Sequence, residues 1–159
     1  MSAVPRKLTL AQVMPHQGHM LLLDELLDCN AEQVSCALTI RRESLFCDGV
    51  NGVPGWVGIE YMAQTACAYA GALDVIAGSA PRICLLLGSR RYECDVPFFA
   101  LGSRLRVVAT LELLDDNDLA VFDCAIHARA EDGERIIARG DIKAYRPRDL
   151  AAVVRGERI

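Results

Sequence analysis

The C-terminal half of the chain alternates regularly between hydrophobic and polar residues. Over 105–113 the odd-numbered residues are apolar, while most even-numbered residues are polar. Regular alternation predicts strands that bury one face and expose the other. The same pattern predicts strands over 119–130 and 135–145, joined by the hairpin signal Asp132-Gly133. This half of the chain is therefore expected to form antiparallel sheet, with Leu113 among the inward-facing residues.

The segment 56–76 differs because it is apolar nearly all round and contains many small residues. Pro54-Gly55 before it is a helix-start signal, and an all-round apolar helix is expected to be buried. Strands are predicted over 21–29, 33–42 and 83–94. The order strand, strand, buried helix, then four strands predicts an α+β fold in which a curved antiparallel sheet wraps around one central helix, which is the hot-dog architecture.

Composition narrows the classes of function. A length of 159 residues fits one domain, with a core over about 8–147 and a C-terminal tail over 148–159. The net charge of −4 without basic blocks argues against nucleic acid. The longest apolar stretch is interrupted by Glu60 and Gln64, which argues against a membrane span, and the N-terminus lacks the apolar segment of a signal peptide. A cytoplasmic location is expected.

The seven cysteines are irregularly spaced and form no C-x-x-C motif. This pattern does not favour a disulfide scaffold. Most of these cysteines are expected to be small buried apolar groups. The sequence predicts no metal and no cofactor.

Glu60 is the main candidate for chemistry. It is the only carboxylate between Asp48 and Asp74 and lies about one turn into the predicted buried helix. A carboxyl group in apolar surroundings either takes a raised pKa or finds hydrogen-bond donors, and such a group can act as a general acid or base. Gln64, at i+4, can hydrogen-bond and orient it. Alternatively, Glu60 points out of the helix start and is favoured there only by the helix dipole.

The predicted helix start offers a second element of a site. Exposed N–H groups at Gly55, Trp56 and Val57 would carry partial positive charge and polarise a thioester carbonyl. Alternatively, Pro54-Gly55 is only a turn that begins a helix.

Three motifs in order resemble the β-hydroxyacyl-carrier-protein dehydratases of fatty-acid synthesis. The segment 53–64, Val-Pro-Gly-Trp-Val-Gly-Ile-Glu-Tyr-Met-Ala-Gln, is similar to the family's helix start. The segment 15–24, beginning Pro-His-Gln-Gly-His-Met, resembles its N-terminal motif, and 88–105 follows its strand, proline and glycine layout. The resemblance covers about 8–147 and is strongest to predicted dehydratases encoded with aryl polyene and related pigment pathways.

The resemblance implies a role for several residues. Glu60 would protonate the departing hydroxyl, and Gly55 would offer its N–H to the thioester carbonyl. Pro54, Trp56 and Val57 would lie beside the acyl chain. The family's catalytic histidine is missing, because 47–52 reads Cys-Asp-Gly-Val-Asn-Gly.

Four replacements for that histidine are open. In the first, His16 or His19 reaches the site from the N-terminal segment, and in the second, Asp48 acts as the base. In the third, Glu60 transfers both protons, or activates water in a thioesterase reaction. In the fourth, a histidine-bearing partner completes the site. His127, which shares a polar strand face with Asp123 and Arg129, is expected to be solvated.

The family resemblance also implies partners. The substrate would be a thioester of acyl carrier protein or coenzyme A, and a homodimer or a heterodimer would form by pairing of the apolar strand at 83–88. Four arginines are candidates for attracting an acidic carrier: Arg82, Arg90, Arg91 and Arg104. The predicted function is 3-hydroxyacyl-carrier-protein dehydratase. The alternatives are an acyl-thioesterase and a non-catalytic or half-site subunit of a dehydratase heterodimer.

Overall fold

The computed structural model describes residues 7–157, which form three α-helices, two short 3₁₀ helices (Gly18–Met20 and Gly55–Val57) and nine strands. The helices are α1 (Leu10–Val13), α2 (Gly58–Ile76) and α3 (Leu150–Val154). The strands are β1 (Glu25–Cys29), β2 (Gln33–Thr39), β3 (Gly52–Pro54), β4 (Leu85–Gly88), β5 (Tyr92–Cys94), β6 (Phe98–Ala100), β7 (Arg104–Leu114), β8 (Leu119–Ala130) and β9 (Gly133–Tyr145).

The main sheet is antiparallel and runs in the order β1-β2-β7-β8-β9-β4, with β5 also paired to β9. A separate two-stranded ribbon joins β3 to β6. Helix α2 contacts β1, β2, β7, β8 and β9, so the sheet curves around it. The hot-dog architecture predicted from the sequence is confirmed.

Small residues of α2 allow other parts of the chain to approach it closely. A Cβ on Gly71 would lie 1.7 Å from the carbonyl oxygen of Val13. At this position the close neighbour is α1 and not a strand. Within residues 7–157 no helix combines the length and the hydrophobicity needed to cross a membrane.

The strand predicted over 83–94 is divided into β4 and β5. The carboxylate of Asp141 accepts hydrogen bonds from the backbone N–H groups of Arg90, at 3.0 Å, and Arg91, at 2.8 Å. These bonds hold the intervening residues out of the ladder. The prediction of one continuous strand over 83–94 is therefore wrong. The carboxylate that interrupts it belongs to Asp141 on β9, about 50 residues later in the sequence.

The predicted inward orientation of Leu113 is also wrong. The register of β7 against β8 shifts between Leu111 and Leu113, and Leu113 is 50% exposed. A second shift, at Ile126 and His127, brings Ile137 into the core. Each extra residue in a bulge reverses the facing of the residues that follow it.

An ion network ties the C-terminal end of α2 to the end of β9. Arg146 Nη1 lies 2.8 Å from Asp74 Oδ1 and also donates to the carbonyl of Ala70 at 2.8 Å. Arg146 Nη2 lies 2.9 Å from Asp118 Oδ1. Arg82 joins both carboxylates from the segment that follows the helix.

Strand β4 forms one edge of the main sheet. Leu86 is 45% exposed and Leu87 is 53% exposed, and Ile83 before the strand is also exposed. Edge strands with exposed apolar side chains favour pairing with another chain. The strand that the sequence singled out for dimerisation is therefore available for it.

Candidate active site

Glu60 is half-buried in the first turn of α2 and lines a cavity of about 140 Å³. The cavity lies between α2 and the sheet edge formed by β4 and β9. Its lining consists of His16, Glu60, Ala63, Gln64, Cys67, Cys84, Leu86, Ile142 and Ala144. The carboxyl group therefore lies beside a cavity whose lining combines polar groups with small and aliphatic side chains.

Gln64 orients this carboxyl group. Its Nε2 donates to Glu60 Oε1 at 3.0 Å and to the carbonyl of Met20 at 2.8 Å. Its Oε1 accepts from the backbone N–H of Leu22 at 2.9 Å. These bonds fix the amide orientation of a buried side chain and confirm the predicted contact with Glu60. They also attach the N-terminal motif to the helix-start motif, a connection that the sequence did not predict.

His16 lines the same cavity as Glu60 and is half-buried. Its Nδ1 is enclosed and has no hydrogen-bond partner among the residues that the structure describes. A buried ring nitrogen without a partner is unusual in proteins and calls for an explanation. Because this nitrogen is inaccessible, the part of the ring that lines the cavity does not include it.

His19 lies elsewhere. It is exposed and lines a different cavity, which Asp24, Arg41 and Tyr61 also line. The structure therefore separates the two candidate histidines: His16 shares the cavity of Glu60, and His19 does not.

Asp48 stabilises the loop before β3. Its Oδ1 accepts from the backbone N–H groups of Val50, Asn51 and Gly52 at 2.7–3.0 Å, and its Oδ2 accepts from Asn51 Nδ2 at 2.9 Å. The bond from Gly52 and the others hold the pKa of Asp48 well below its usual range. A carboxylate this weakly basic is poorly suited to remove an α-proton, so the structure argues against Asp48 as the base.

The backbone of Gly55 is fully engaged, which contradicts the expectation that its N–H is exposed. The N–H donates to the carbonyl of Pro97 at 2.9 Å, and the Tyr92 hydroxyl donates to the Gly55 carbonyl at 2.5 Å. A Cβ at this position would lie 2.6 Å from Val96 O and 2.9 Å from Cys94 Sγ. The absence of a side chain at Gly55 therefore lets the helix start pack against the β5–β6 segment.

The three residues expected beside the acyl chain lie outside the lining of the Glu60 cavity. Val57 is buried in the core, at 2% exposure, and Pro54 belongs to β3. Trp56 is 62% exposed and packs edge-on against Phe46, with ring centroids 5.3 Å apart. In the single chain none of the three contributes to this cavity, and for Val57 the core position contradicts the expected role.

Ion pairs occupy most of the arginines proposed for carrier docking. Arg82 pairs with Asp74 and Asp118, Arg91 with Glu93, and Arg104 with Glu25. Arg90 is exposed. The remaining positive potential at these arginines is smaller than their number suggests.

His127 is partly exposed, as a residue on the polar face of its strand is expected to be. Its side chain is 18% exposed, and its Nδ1 lies 3.9 Å from a Glu134 carboxylate oxygen. Burial and the nearby Arg106 lower the pKa of His127. It does not line the cavity of Glu60.

Sequence reasoning missed several residues of the cavity. Ala63 and Cys67 follow Glu60 by three and seven residues, so helical spacing places them on its face and could have identified them. Cys84 and Leu86 come from the sheet edge, and their proximity depends on tertiary pairing that no local pattern encodes. A second, largely apolar cavity shares Cys84 and Ala144 with the first and is lined further by Ala66, Tyr69, Ala70, Leu73, Leu114, Asp118, Ala120, Phe122, Tyr145 and Arg146.

Comparison with known structures places the chain beside other hot-dog proteins. The dehydratase heterocomplex ApeI:P from Xenorhabdus doucetiae is 27% identical, with a TM-score of 0.82 over 94% of this chain and 97% of that chain. A hypothetical thioesterase with coenzyme A from Streptococcus pneumoniae TIGR4 is 13% identical, with a TM-score of 0.57 over 77% and 84% of the two chains. The uncharacterized protein PH1136 from Pyrococcus horikoshii is 11% identical, with a TM-score of 0.59 over 82% and 88%. The latter two likenesses show the fold alone.

No curated protein matches the sequence. The family model for the ApeP-like proteins, described as ApeP dehydratase, matches residues 8–155 and thus nearly the whole chain. Together with the hot-dog fold, this match assigns the chain: it belongs to the ApeP-like dehydratase family.

Proposed function

We propose that this dehydratase removes water from a 3-hydroxyacyl thioester carried by an acyl carrier protein. The observation that supports it most directly is the position of Glu60. Its carboxyl group is held by Gln64 beside a cavity that His16 also lines. An acid and a base on one cavity are what elimination requires.

The reaction needs two proton transfers. His16 accepts the α-proton, and the electron pair of that C–H bond forms the new double bond as the C–O bond at the β-carbon breaks. Protonated Glu60 delivers its proton to the departing oxygen, which leaves as water. Each general catalyst typically contributes about 10²–10⁴-fold to such a rate.

The proposed assembly is a dimer through β4. Leu86 belongs to this exposed edge and also lines the Glu60 cavity. Pairing with a second hot-dog protein would therefore cover the cavity as well as the edge. A homodimer and a heterodimer both satisfy this requirement, and the similarity to one chain of the ApeI:P heterocomplex favours the heterodimer.

A second candidate function is that of a subunit that forms half of a composite site. The loop 47–52, where related dehydratases carry a histidine, contains none. In that arrangement the partner supplies the base and this chain supplies Glu60. The thioesterase alternative rests on structural neighbours whose sequence identity is too low to support a shared function.

Incubation of the purified chain with a 3-hydroxyacyl carrier protein separates these functions. Formation of enoyl product by the chain alone, abolished in Glu60→Gln and retained in His19→Ala, is the expected result. Product that appears only after addition of a hot-dog dehydratase partner supports the half-site subunit. Release of free acid, or full activity of Glu60→Gln, would contradict the proposed site.

Two sequence predictions remain proposals. We treat 1–159 as a single domain, which is supported by one continuous core that includes residues from Leu10 to Ile142. A cytoplasmic location stays a prediction from the sequence.

A further inference from the structure

The cavity beside Glu60 has one wall from helix α2 and another from strands β9 and β4. Glu60 and Cys67 belong to the helical wall, while Ala144 and Leu86 belong to the sheet wall and pair with each other in the β4–β9 ladder. Short side chains occur on both walls, and four of the nine lining residues are Ala63, Cys67, Cys84 and Ala144. These short side chains leave the space between helix and sheet open.

Helix α2 and strand β9 run side by side in the same direction. Near the start of the helix, a Cβ on Gly140 would lie 3.2 Å from Met62 Sδ. Two turns later, Arg146 Nη1 donates to the carbonyl of Ala70 at 2.8 Å. Strand β9 therefore follows the helix from its first turns towards its C-terminal half.

This alignment gives the cavity a near end and a far end relative to Glu60. Ala144 comes four residues after Gly140 and two before Arg146, which places it opposite the part of α2 that carries Cys67. Both residues line the cavity. Cys67 and Ala144 therefore face each other at the end that is farther from the carboxyl group.

The surroundings of the two ends differ. Next to the helix start the surface is open, because Trp56 is 62% exposed and Met20 is 63% exposed. Beyond Cys67 the helix is tied to the sheet by Arg146, which is 11% exposed and pairs with Asp74 at 2.8 Å. A carrier protein is too large to enter the cavity, so the thioester must lie at the open end. The acyl tail then points towards the far end.

We propose that the acyl tail of the substrate lies along α2 from Glu60 towards Cys67, and that Cys67 and Ala144 determine which chain lengths are preferred. This inference rests on the proposed function. Cys67 follows Glu60 by seven residues, a helical advance of about 10 Å. An extended chain with C–C bonds of ~1.5 Å advances about 1.3 Å per bond, so a tail reaches Cys67 about eight carbons beyond the reacting centre.

The size of these two side chains is expected to discriminate between tails shorter and longer than this distance. One extra or missing methylene in a hydrophobic pocket typically changes discrimination by about 10–200-fold. Cys67→Leu is expected to lower the preference for long over short tails at least tenfold, and Cys67→Ala to raise it. Ala144→Val narrows the same place from the opposite wall and is expected to act like Cys67→Leu.

The test measures kcat/KM of the full-length protein for 3-hydroxyhexanoyl and 3-hydroxytetradecanoyl carrier protein. The first tail ends before Cys67 and the second extends beyond it, so the ratio of the two values is the readout. Cys29→Leu is the matched control, because Cys29 is half-buried on β1 and outside the lining of the cavity. Its ratio is expected to equal that of the wild type.

A second measurement does not depend on turnover. Titration calorimetry with hexanoyl and tetradecanoyl pantetheine amides gives the ratio of the two Kd values, which is expected to shift in the same direction in each variant. Absence of turnover by every protein would contradict the proposed function alone, since the binding ratio still tests the pocket. A binding ratio that stays at the wild-type value in all three cavity variants, or an equal loss of binding for both tails, would overturn this assignment.

Discussion

Gln64 Nε2 lies 3.0 Å from Glu60 Oε1 while the same side chain bonds the backbone of the N-terminal segment at Met20 and Leu22. One amide therefore sets both the orientation of the proposed acid and the position of the segment that carries His16. The two motifs, which begin 38 positions apart in the sequence, form one unit.

Replacing Gln64 with Ala is expected to weaken both functions of this amide. The N–H of Leu22 and the carbonyl of Met20 lose their partner, and a buried unsatisfied group costs about 1–3 kcal/mol. We expect a lower urea midpoint together with a lower kcat, because Glu60 is no longer oriented. Thr65→Val is the matched control, since it removes the neighbouring bond from the Thr65 hydroxyl to the carbonyl of Tyr61 without touching Glu60. Equal kcat in the two variants would contradict an orienting role.

Replacing His16 with Ala is expected to lower kcat by about 10²–10⁴-fold, because the proposed base is lost. His19→Ala, whose side chain lies on the other cavity, is expected to keep wild-type kinetics. Similar kinetics for the two variants would show that another group, in this chain or its partner, removes the proton.

Replacing Gly55 with Ala is expected to destabilise the helix start. The new Cβ would lie 2.6 Å from Val96 O, which is too close for any Cβ contact, so the backbone must shift. Overpacking of this kind costs about 1–3 kcal/mol, measurable by urea unfolding. A variant as stable as the wild type would show that the helix start separates easily from the β5–β6 segment.

Replacing Asp118 with Asn tests the network at the end of α2. Although burial opposes it, the hydrogen bond and charge of Arg146 together with the charges of Arg82 and Arg148 lower the pKa of Asp118 below its usual 3.8. Because folding lowers the pKa of Asp118, the ionised carboxylate stabilises the folded protein at pH values above the ordinary pKa. This stabilisation is lost as the pH falls through the lowered pKa. The variant is expected to lose about 1.5–3 kcal/mol at pH 7, the range for hydrogen bonds to charged groups. The difference from wild type should shrink below about pH 4, and a constant difference would contradict this origin.

Replacing Leu86 with Asp is expected to disrupt assembly through β4. A carboxylate would be placed on an edge that is apolar in the wild type, and light scattering after size-exclusion chromatography would show a smaller mass. Val154→Asp is the control, because Val154 is 79% exposed and lies on α3, outside the sheet. Unchanged mass for Leu86→Asp would place the interface elsewhere.

The sequence predicts those features that depend on residues close in the chain. The contact of Gln64 with Glu60 follows from helical spacing, and the buried helix follows from its composition. The occupied N–H of Gly55 was not predictable, because its acceptor is Pro97 and lies on a different element. Likewise, Asp141 interrupts the strand predicted over 83–94 from a position about 50 residues later, and only the folded sheet brings the two together.

Leu86 links the assembly of the protein to its selectivity for acyl groups. This residue forms part of the wall around Glu60 and stands on the strand that another chain would cover. A protein that pairs with β4 would also form the opposite wall of the Glu60 cavity. A different partner chain would thus change which acyl groups fit the cavity, with no change in the sequence of this chain.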